Sequence, residues 1–155
     1  EQPVLHYWRT HPEAQALAPA SVVELQVAVG RALGPAIEAL VANHLNTNAP
    51  VVIEGDYLLP AFAALPSFGA EPSAGRVRAV FLLESDERQL LANFTKREPG
   101  APAQTGRATV SRIYGEWLAR EATDRGLAVV AARPWNTVLE RVRLTAANSG
   151  MDPRT

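Results

Sequence analysis

Two carboxylates, Glu54 and Asp56, directly follow a short apolar run in the segment VVIEGDYLLP. The run at 50–54 is continuous, rich in β-branched residues and closed by Gly55, which is typical of a buried strand. Ligands of open α/β sheets bind beyond the carboxyl ends of the strands. A carboxylate there can hold Mg²⁺-bound water or accept a proton from a substrate hydroxyl group. The same residues could also be the polar exit of an ordinary strand, and spacing alone does not separate the two interpretations.

Four basic residues flank a linker at 98–106 that is rich in proline and glycine. Lys96 and Arg97 precede this linker, and Arg107 and Arg112 follow it. A mobile loop between basic residues suits a flap that closes over phosphates, where arginine neutralises charge on the transferred group. Ordinary surface charges at solvated helix ends would give the same pattern, so this alternative stays open.

A third candidate site is the segment RPWNT, which runs from Arg133 to Thr137 and follows a predicted strand at 127–131. Backbone N–H groups at a helix start and an indole ring can border a nucleotide base. We therefore expect Arg133, Pro134, Trp135 and Thr137 to contact a cofactor. Trp135 could instead be a hydrophobic plug beside a proline at a helix start.

The three histidines do not have the spacing of a metal site. His44 near a helix end is more typical of a structural residue. His6 and His11 lie in a segment rich in proline and aromatic residues, and with Tyr57 they are candidates for a substrate pocket. The sequence predicts no protein-only metal site.

Composition limits the classes of function. The 155 residues fit one domain, and 47% hydrophobic with 20% charged residues is ordinary for a globular protein. A net charge of −1 argues against nucleic acid as a partner, and the absence of cysteine excludes thiolate chemistry. No uninterrupted apolar run approaches the roughly 20 residues of a membrane span. We expect a cytoplasmic protein with no membrane partner.

Apolar periodicity predicts helices alternating with strands. A capping box at Ser21 and Glu24 should open the first long helix, Ser85 should cap another, and Gly126 should close a third. The stretch at 66–75, rich in proline, glycine and serine, is predicted to be a surface connection between elements. The predicted strands lie at 50–54, 77–83 and 127–131, and the helices at 21–46, 58–65, 85–97, 107–125 and 135–147. This order predicts an α/β fold with a parallel sheet covered by helices on both faces.

Three segments in this order and spacing resemble the P-loop small-molecule kinases: VVIEGDYLLP, RVRAVFLLESDERQLLANFTKREPG and VVAARPWNTVLERV. Within that superfamily they are most similar to adenylate-kinase-like and 2-phosphoglycerate-kinase-like proteins, often described as AAA-family ATPases. The similarity covers residues from about 21 to 143. It implies that Glu54-Gly55 ends the third strand, that a lid spans about 96–112, and that Arg133 to Thr137 border adenine.

The sequence departs from this family at its phosphate-binding loop. No GxxxxGK[ST] motif is present, and Gly30 and Gly34 lie inside a predicted helix with no lysine after them. The resemblance therefore implies a single partial domain over 1–155 that lacks the central strand of its sheet. We expect the strands at 50–54 and 77–83 not to pair directly. A segment preceding Glu1 or a second chain would complete the sheet.

The resemblance implies an ATP-dependent phosphotransferase that uses ATP and Mg²⁺ on a small hydroxylated substrate. Glu54 or Asp56 would organise Mg²⁺ or the attacking hydroxyl. Arg107 and Arg112 would act in catalysis from the lid, and Lys96 and Arg97 would contact the cofactor there. Both ATP and Mg²⁺ would need the missing loop. The alternative is a non-catalytic nucleotide-binding or regulatory module that kept the fold.

Overall fold

The structure is a computed structural model that describes residues 3–148. Short helical turns at the amino end precede one long helix, and the other helices alternate with strands. The α-helices are α1 (Tyr7–Thr10), α2 (Pro19–Asn46), α3 (Pro60–Ala63), α4 (Glu87–Arg97), α5 (Thr105–Asp124) and α6 (Val138–Asn148). Short 3₁₀ turns occur at Pro3–His6, Pro12–Ala16 and Trp135–Thr137.

The strands form two small sheets. Strands β1 (Ser67–Phe68) and β2 (Glu71–Pro72) pair antiparallel, and strands β3 (Val80–Leu83) and β4 (Ala128–Ala131) pair parallel. In the parallel pair Val80 lies opposite Ala128 and Leu83 opposite Ala131. The fold is therefore mixed α/β with a small parallel sheet. The strands predicted at 77–83 and 127–131 form, slightly shorter than expected.

The prediction of a strand at 50–54 is wrong within the described residues. The segment 51–55 belongs to neither sheet, and no backbone hydrogen bond from residues 51–54 to another described residue is present. The physical reason is that a strand is defined by a paired neighbour, which an apolar run does not supply. Residues 50–54 and 77–83 do not pair, as expected, but the cause is that 50–54 is not a strand, so the sheet order implied by the resemblance stays a prediction.

The core forms where α2 crosses α5. Val23 and Val27 of α2 contact Leu59 and Tyr114, and all four are buried. The partly buried side chains that pack against this cluster are Phe62, Val110, Ile113, Trp117 and Leu118. Burial of the apolar stripe of α2 positions the segment at 56–63 between the two long helices.

Two glycines let that segment approach α2 closely. A Cβ on Gly30 would lie 2.8 Å from Cγ of Leu59, and one on Gly34 would lie 2.8 Å from the Phe62 ring. Those separations are shorter than any normal carbon contact. Gly30 and Gly34 are therefore packing residues, and the chain from Leu59 to Phe62 fits against α2 because both lack a side chain.

Two predicted helix caps are wrong and a third is confirmed. Helix α2 begins at Pro19 with Ala18 as its N-cap, so Ser21 lies within the first turn and does not form a capping box. Asp86, not Ser85, caps α4, because its carboxylate accepts the backbone N–H groups of Arg88 and Gln89. The helix at 107–125 is α5, and Gly126 follows it with a φ of 70°, as expected for a C′ glycine.

The stretch at 66–75 is more than a surface connection. It contains the β1–β2 pair, and Phe68 is one of the most buried side chains in the described residues. The hydroxyl of Ser73 donates to the carbonyl of Leu65 and closes the loop. The sequence pattern of this stretch is dominated by prolines and glycines, so it does not indicate that one aromatic residue, Phe68, is buried.

The sequence predicts no segment long enough to span a membrane, and helix α2 tests that prediction. By length and composition it could cross a membrane, with a mean hydropathy of 1.3 in its most apolar window. A core helix of a soluble protein passes the same test, so this is weak evidence of a membrane segment. Val23 and Val27 contact Leu59 and Tyr114 in the core, so part of the apolar surface of α2 is buried within the protein.

Candidate functional site

The residues after the apolar run are held against α5. The phenol of Tyr114 donates a 2.7 Å hydrogen bond to the backbone carbonyl of Asp56. Tyr114 is buried, whereas the side chains of Glu54 and Asp56 are exposed. Gly55 has a φ of 159°, so the chain is extended there. The structure thus fixes the backbone of this segment and leaves both carboxylates in solvent.

A second carboxylate site lies at the carboxyl end of β3. Glu84 follows the strand, and only 15% of its side chain is exposed. One of its oxygens is 3.1 Å from Nε of Arg133, which follows β4, and the other accepts the backbone N–H of Asp86. Arg133 also donates weakly to Asn93 at 3.5 Å. Sequence reasoning missed Glu84, although the rule applied to Glu54 would have found it.

The pKa values of two tyrosines near Asp56, Tyr57 and Tyr114, are raised. Burial raises the pKa of the Tyr57 phenol, and the Asp56 carboxylate raises it further. Burial also raises the pKa of Tyr114 strongly, with smaller contributions from Tyr57 and Asp56. Each shift stabilises the neutral phenol. Both tyrosines can therefore act as hydrogen-bond donors at neutral pH, and neither is a proton acceptor there.

The linker predicted to be a flap is fixed at its ends. Arg107 donates to Glu98 at 2.8 Å and to Gln104 at 2.7 Å, and its guanidinium stacks 4.3 Å from the centre of the Phe94 ring. The guanidinium of Arg97 lies over the same ring at 5.3 Å. Hydrogen bonds from Arg107 and Gln104 lower the pKa of Glu98. Arg97 and Arg107 are therefore brought together around Phe94.

Arg112 lies between two carboxylates. It contacts Glu87 of α4 at 3.0 Å and Glu116, one turn along α5, at 2.9 Å. The hydroxyl of Thr109 also donates to Glu87. Hydrogen bonds from Thr109 and then Arg112 lower the pKa of Glu87. Helices α4 and α5 are thus joined by charge, and Arg112 is already neutralised.

The segment after β4 is organised by a residue that sequence reasoning missed. Arg141 of α6 donates to the backbone carbonyls of Ala131 at 2.5 Å and Pro134 at 3.0 Å, and to the hydroxyl of Thr137 at 3.3 Å. The Arg133–Pro134 peptide bond is cis. Trp135 is 63% exposed, so it is not the hydrophobic plug considered from sequence. Thr137 lies four residues before Arg141, and this helical spacing could have indicated their contact.

The histidines lie in the amino-terminal turns and in α2. The ring of His11 stacks on Tyr7 at 4.1 Å, and His6 lies 3.2 Å from Arg9. No described hydrogen bond or ring contact joins His6 or His11 to Tyr57. The predicted substrate residues are therefore not brought together by these contacts. Lys96, predicted to contact the cofactor, lies in the last turn of α4 with an exposed side chain.

Two surface pockets lie elsewhere in the protein. One of about 380 Å³ lies between α2 and α5, and one of about 200 Å³ lies near Gly126. Neither is lined by any residue predicted from sequence to form the site. Within residues 3–148, no group of three or more His, Cys, Asp or Glu side chains could hold a metal ion. A metal here would need oxygen ligands from a nucleotide or another segment.

The site residues form two groups, which the Glu84–Arg133 ion pair joins. The first group consists of the carboxylates that follow the apolar run and β3, namely Glu54, Asp56 and Glu84. The second group consists of arginines that are each paired with a carboxylate, namely Arg107, Arg112 and Arg133. Carboxylates of this kind can accept a proton from a hydroxyl group or contact a hydrated cation, and the sequence has no GxxxxGK[ST] loop for a triphosphate.

Comparisons with known proteins add no identification: no family model, no curated protein and no solved structure matches this chain.

Proposed function

We propose that this chain forms the acceptor and lid parts of an ATP-dependent phosphotransferase that acts on a small hydroxylated substrate. Glu54 would organise Mg²⁺ or the attacking hydroxyl, and Asp56 with Tyr57 would face the acceptor. Arg107 and Arg112 would neutralise charge on the transferred group. The loop that binds the ATP phosphates would come from outside the described residues. This activity would take place in the cytoplasm, where ATP is available.

One observation carries the proposal: the chain after the apolar run and the carboxyl end of β3 both contact α5, at the adjacent residues Tyr114 and Gly115. Tyr114 holds the carbonyl of Asp56 at 2.7 Å, and a Cβ on Gly115 would lie 3.4 Å from Leu83. In open α/β folds the ligand crevice lies outside the carboxyl ends of the strands. Glu84 would border that crevice because it directly follows β3, and the resemblance to P-loop kinases implies that Glu54 and Asp56 border it as well.

The carboxylate partners of the arginines favour a second candidate, a non-catalytic nucleotide-binding or regulatory module. Arg107 contacts Glu98, and Arg112 contacts Glu87 and Glu116. To bind a transferred phosphoryl group, either arginine must break its ion pair with a carboxylate and contact the phosphate instead. A charge-assisted contact to phosphate is strong enough for such an exchange only when the site excludes water. A module that does no chemistry would keep the pairs as they are.

Phosphoryl transfer in the natural polypeptide that carries this chain distinguishes the candidates. The assay would measure acceptor-dependent ADP formation from ATP and Mg²⁺ with a panel of small hydroxylated acids and alcohols. We expect acceptor-dependent turnover that falls strongly in Glu54→Gln, because this change keeps the size and removes the charge. Asp56→Asn should raise KM more than it lowers kcat.

The control is Glu24→Gln, an exposed carboxylate on α2 whose loss should leave turnover unchanged. Binding of ATP without turnover, by the parent and all variants alike, would favour the non-catalytic module. No binding of ATP at millimolar concentration would refute both candidates.

A further inference from the structure

The surface pocket between α2 and α5 has the size of a small-molecule site. Its volume is about 380 Å³, and ligand pockets commonly measure about 300–1,000 Å³. Val23 and Val27 of α2 line it and are buried, so its base is apolar. Ile113 and Trp117 of α5 line it and pack against the core while staying partly exposed. The pocket therefore suits a molecule with an apolar body.

Trp117 gives this pocket an aromatic surface whose orientation is fixed. Its indole ring lies parallel to the ring of Tyr114, with an angle of 6° between the planes and 6.1 Å between the ring centres. Tyr114 is buried and its hydroxyl donates to the Asp56 carbonyl, so the ring beside Trp117 is held in place. Contacts between aromatic rings contribute energy beyond apolar burial alone. A ligand with a flat ring is therefore favoured over an aliphatic one.

Two arginines line the same pocket, Arg31 from α2 and Arg120 from α5. Both are exposed, so they lie at its mouth. Three other arginines of α5 each pair with a carboxylate, namely Arg107, Arg112 and Arg125. By contrast, Arg31 and Arg120 have no ion pair or side-chain hydrogen bond with any residue of the range 3–148. A guanidinium group matches a carboxylate with two parallel N–H donors, so the mouth of the pocket is suited to an organic anion.

Glu24 limits the charge that such an anion can carry. Its side chain also lines the pocket, and it forms no ion pair with either arginine there. Two guanidinium groups and one carboxylate leave the pocket with one net positive charge. A carboxylic acid at neutral pH carries one negative charge, whereas a phosphate monoester carries about 1.5 to 2. The pocket thus complements a monocarboxylate better than a phosphate ester.

We propose that the pocket between α2 and α5 binds a small aromatic monocarboxylate. The ring of the ligand lies against Trp117 above the valines of α2, and its carboxylate accepts hydrogen bonds from Arg31 and Arg120. None of the residues assigned to phosphate transfer lines this pocket, so the inference does not rest on the proposed function.

A nuclear magnetic resonance titration of the ¹⁵N-labelled 155-residue chain with 2-naphthoate tests the proposal. We expect the indole N–H signal of Trp117 to shift and saturate. The signal of Trp135, which does not line the pocket, should stay in place and is assigned with Trp135→Phe. The matched control 2-naphthamide has the same ring and no charge, and it should bind at least tenfold more weakly. We expect 2-naphthyl phosphate to bind more weakly than 2-naphthoate.

Arginine variants locate the carboxylate. Arg31→Gln and Arg120→Gln should each weaken binding of 2-naphthoate about tenfold, because each removes a charge-assisted hydrogen bond. Both positions are exposed, so the fold should persist. Arg88→Gln is the matched control, since Arg88 on α4 is also exposed and has no ion pair with the described residues. It should leave the affinity unchanged.

Four results would refute the inference. They are no saturable shift at millimolar 2-naphthoate, equal binding of 2-naphthamide, tighter binding of 2-naphthyl phosphate, and unchanged affinity in both Arg31→Gln and Arg120→Gln. Sedimentation provides a fifth test. A dimer that dissociates on addition of 2-naphthoate would show that a second copy of the chain occupies the pocket, and this outcome would also overturn the assignment.

Discussion

The hydroxyl of Tyr114 on α5 donates a 2.7 Å hydrogen bond to the backbone carbonyl of Asp56, 58 residues earlier in the chain. This bond links a core residue to the backbone of the segment that contains both candidate carboxylates. Tyr114 is buried beside Val27 and Leu59, so its ring is fixed and its hydroxyl points at one carbonyl. A core residue thus fixes the backbone at Asp56, two residues after Glu54.

Tyr114→Phe should lower the free energy of unfolding by about 1 kcal/mol, because the Asp56 carbonyl loses its donor while the packing stays. Amide exchange in residues 55–58 should rise. Denaturant unfolding measures the first effect and mass spectrometry the second. Tyr57→Phe is the matched control, because the Tyr57 hydroxyl makes no hydrogen bond to the described residues, and it should be close to neutral. Equal effects in the two variants would mean that the Tyr114 bond does not position the segment.

Gly30→Ala should lower the free energy of unfolding by about 1–3 kcal/mol, because the new methyl group overlaps the Leu59 side chain. An alanine in a helix interior is otherwise favoured over glycine by about 1 kcal/mol, so the sign itself tests the contact. Gly106→Ala is the control. A Cβ at that position would meet no atom within 4 Å, and the change should stabilise α5 by about 0.5 kcal/mol. A stabilised Gly30→Ala would show that Leu59 moves away freely.

Acidification should loosen α4 from α5. The pKa values of Glu87 and Glu98 are lowered in the folded protein, so their contacts stabilise it above the ordinary Glu pKa of 4.5. That stability is lost as the pH falls through their lower folded-state pKa values. Glu87→Gln should therefore destabilise the protein at pH 7, and the difference from the parent should shrink below about pH 4. Thermal unfolding across pH measures this, with Glu24→Gln as the control. A difference that stays constant with pH would exclude the charge of Glu87 as the cause.

Arg107→Ala should lower phosphotransferase turnover of the natural polypeptide by roughly 10³-fold if this arginine stabilises transferred charge. Stability should change little, because an exposed ion pair contributes little. Arg112→Ala differs: it removes the link between Glu87 and Glu116, so it should also reduce the unfolding temperature. Steady-state kinetics and calorimetry on both variants provide the test. Unchanged kinetics in both would identify these arginines as surface charges.

The sequence predicts the long helices and the parallel strands β3 and β4 well, because their signals are local, whereas it misses the β1–β2 pair. Periodicity indicates α2 and α5, and apolar runs indicate β3 and β4. The segment at 50–54 has the same apolar signal, yet its partner is not set by its own residues. Whether a segment becomes a strand depends on a neighbouring strand that pairs with it, and the local sequence pattern cannot predict that neighbour.

The candidate site is harder to predict for the same reason. The partners of Arg107 and Arg112 include Glu98 and Glu87, which lie 9 and 25 residues away, so only tertiary packing brings them together. The pair Arg112–Glu116 has helical i,i+4 spacing and could have been predicted. Glu84 follows an apolar strand as Glu54 follows its apolar run, and consistent use of the rule would have included it.

The glycines of α2 also limit which changes in length the chain can tolerate. Gly30 and Gly34 lie four residues apart, so they form one notch on the helix surface, filled by Leu59 and Phe62. Deleting one residue between them would rotate one glycine by about 100° relative to the other and shift it by about 1.5 Å. One of the two bulky side chains would then meet a Cβ. Homologous proteins that vary in length should therefore keep these four positions in phase and gain or lose residues elsewhere.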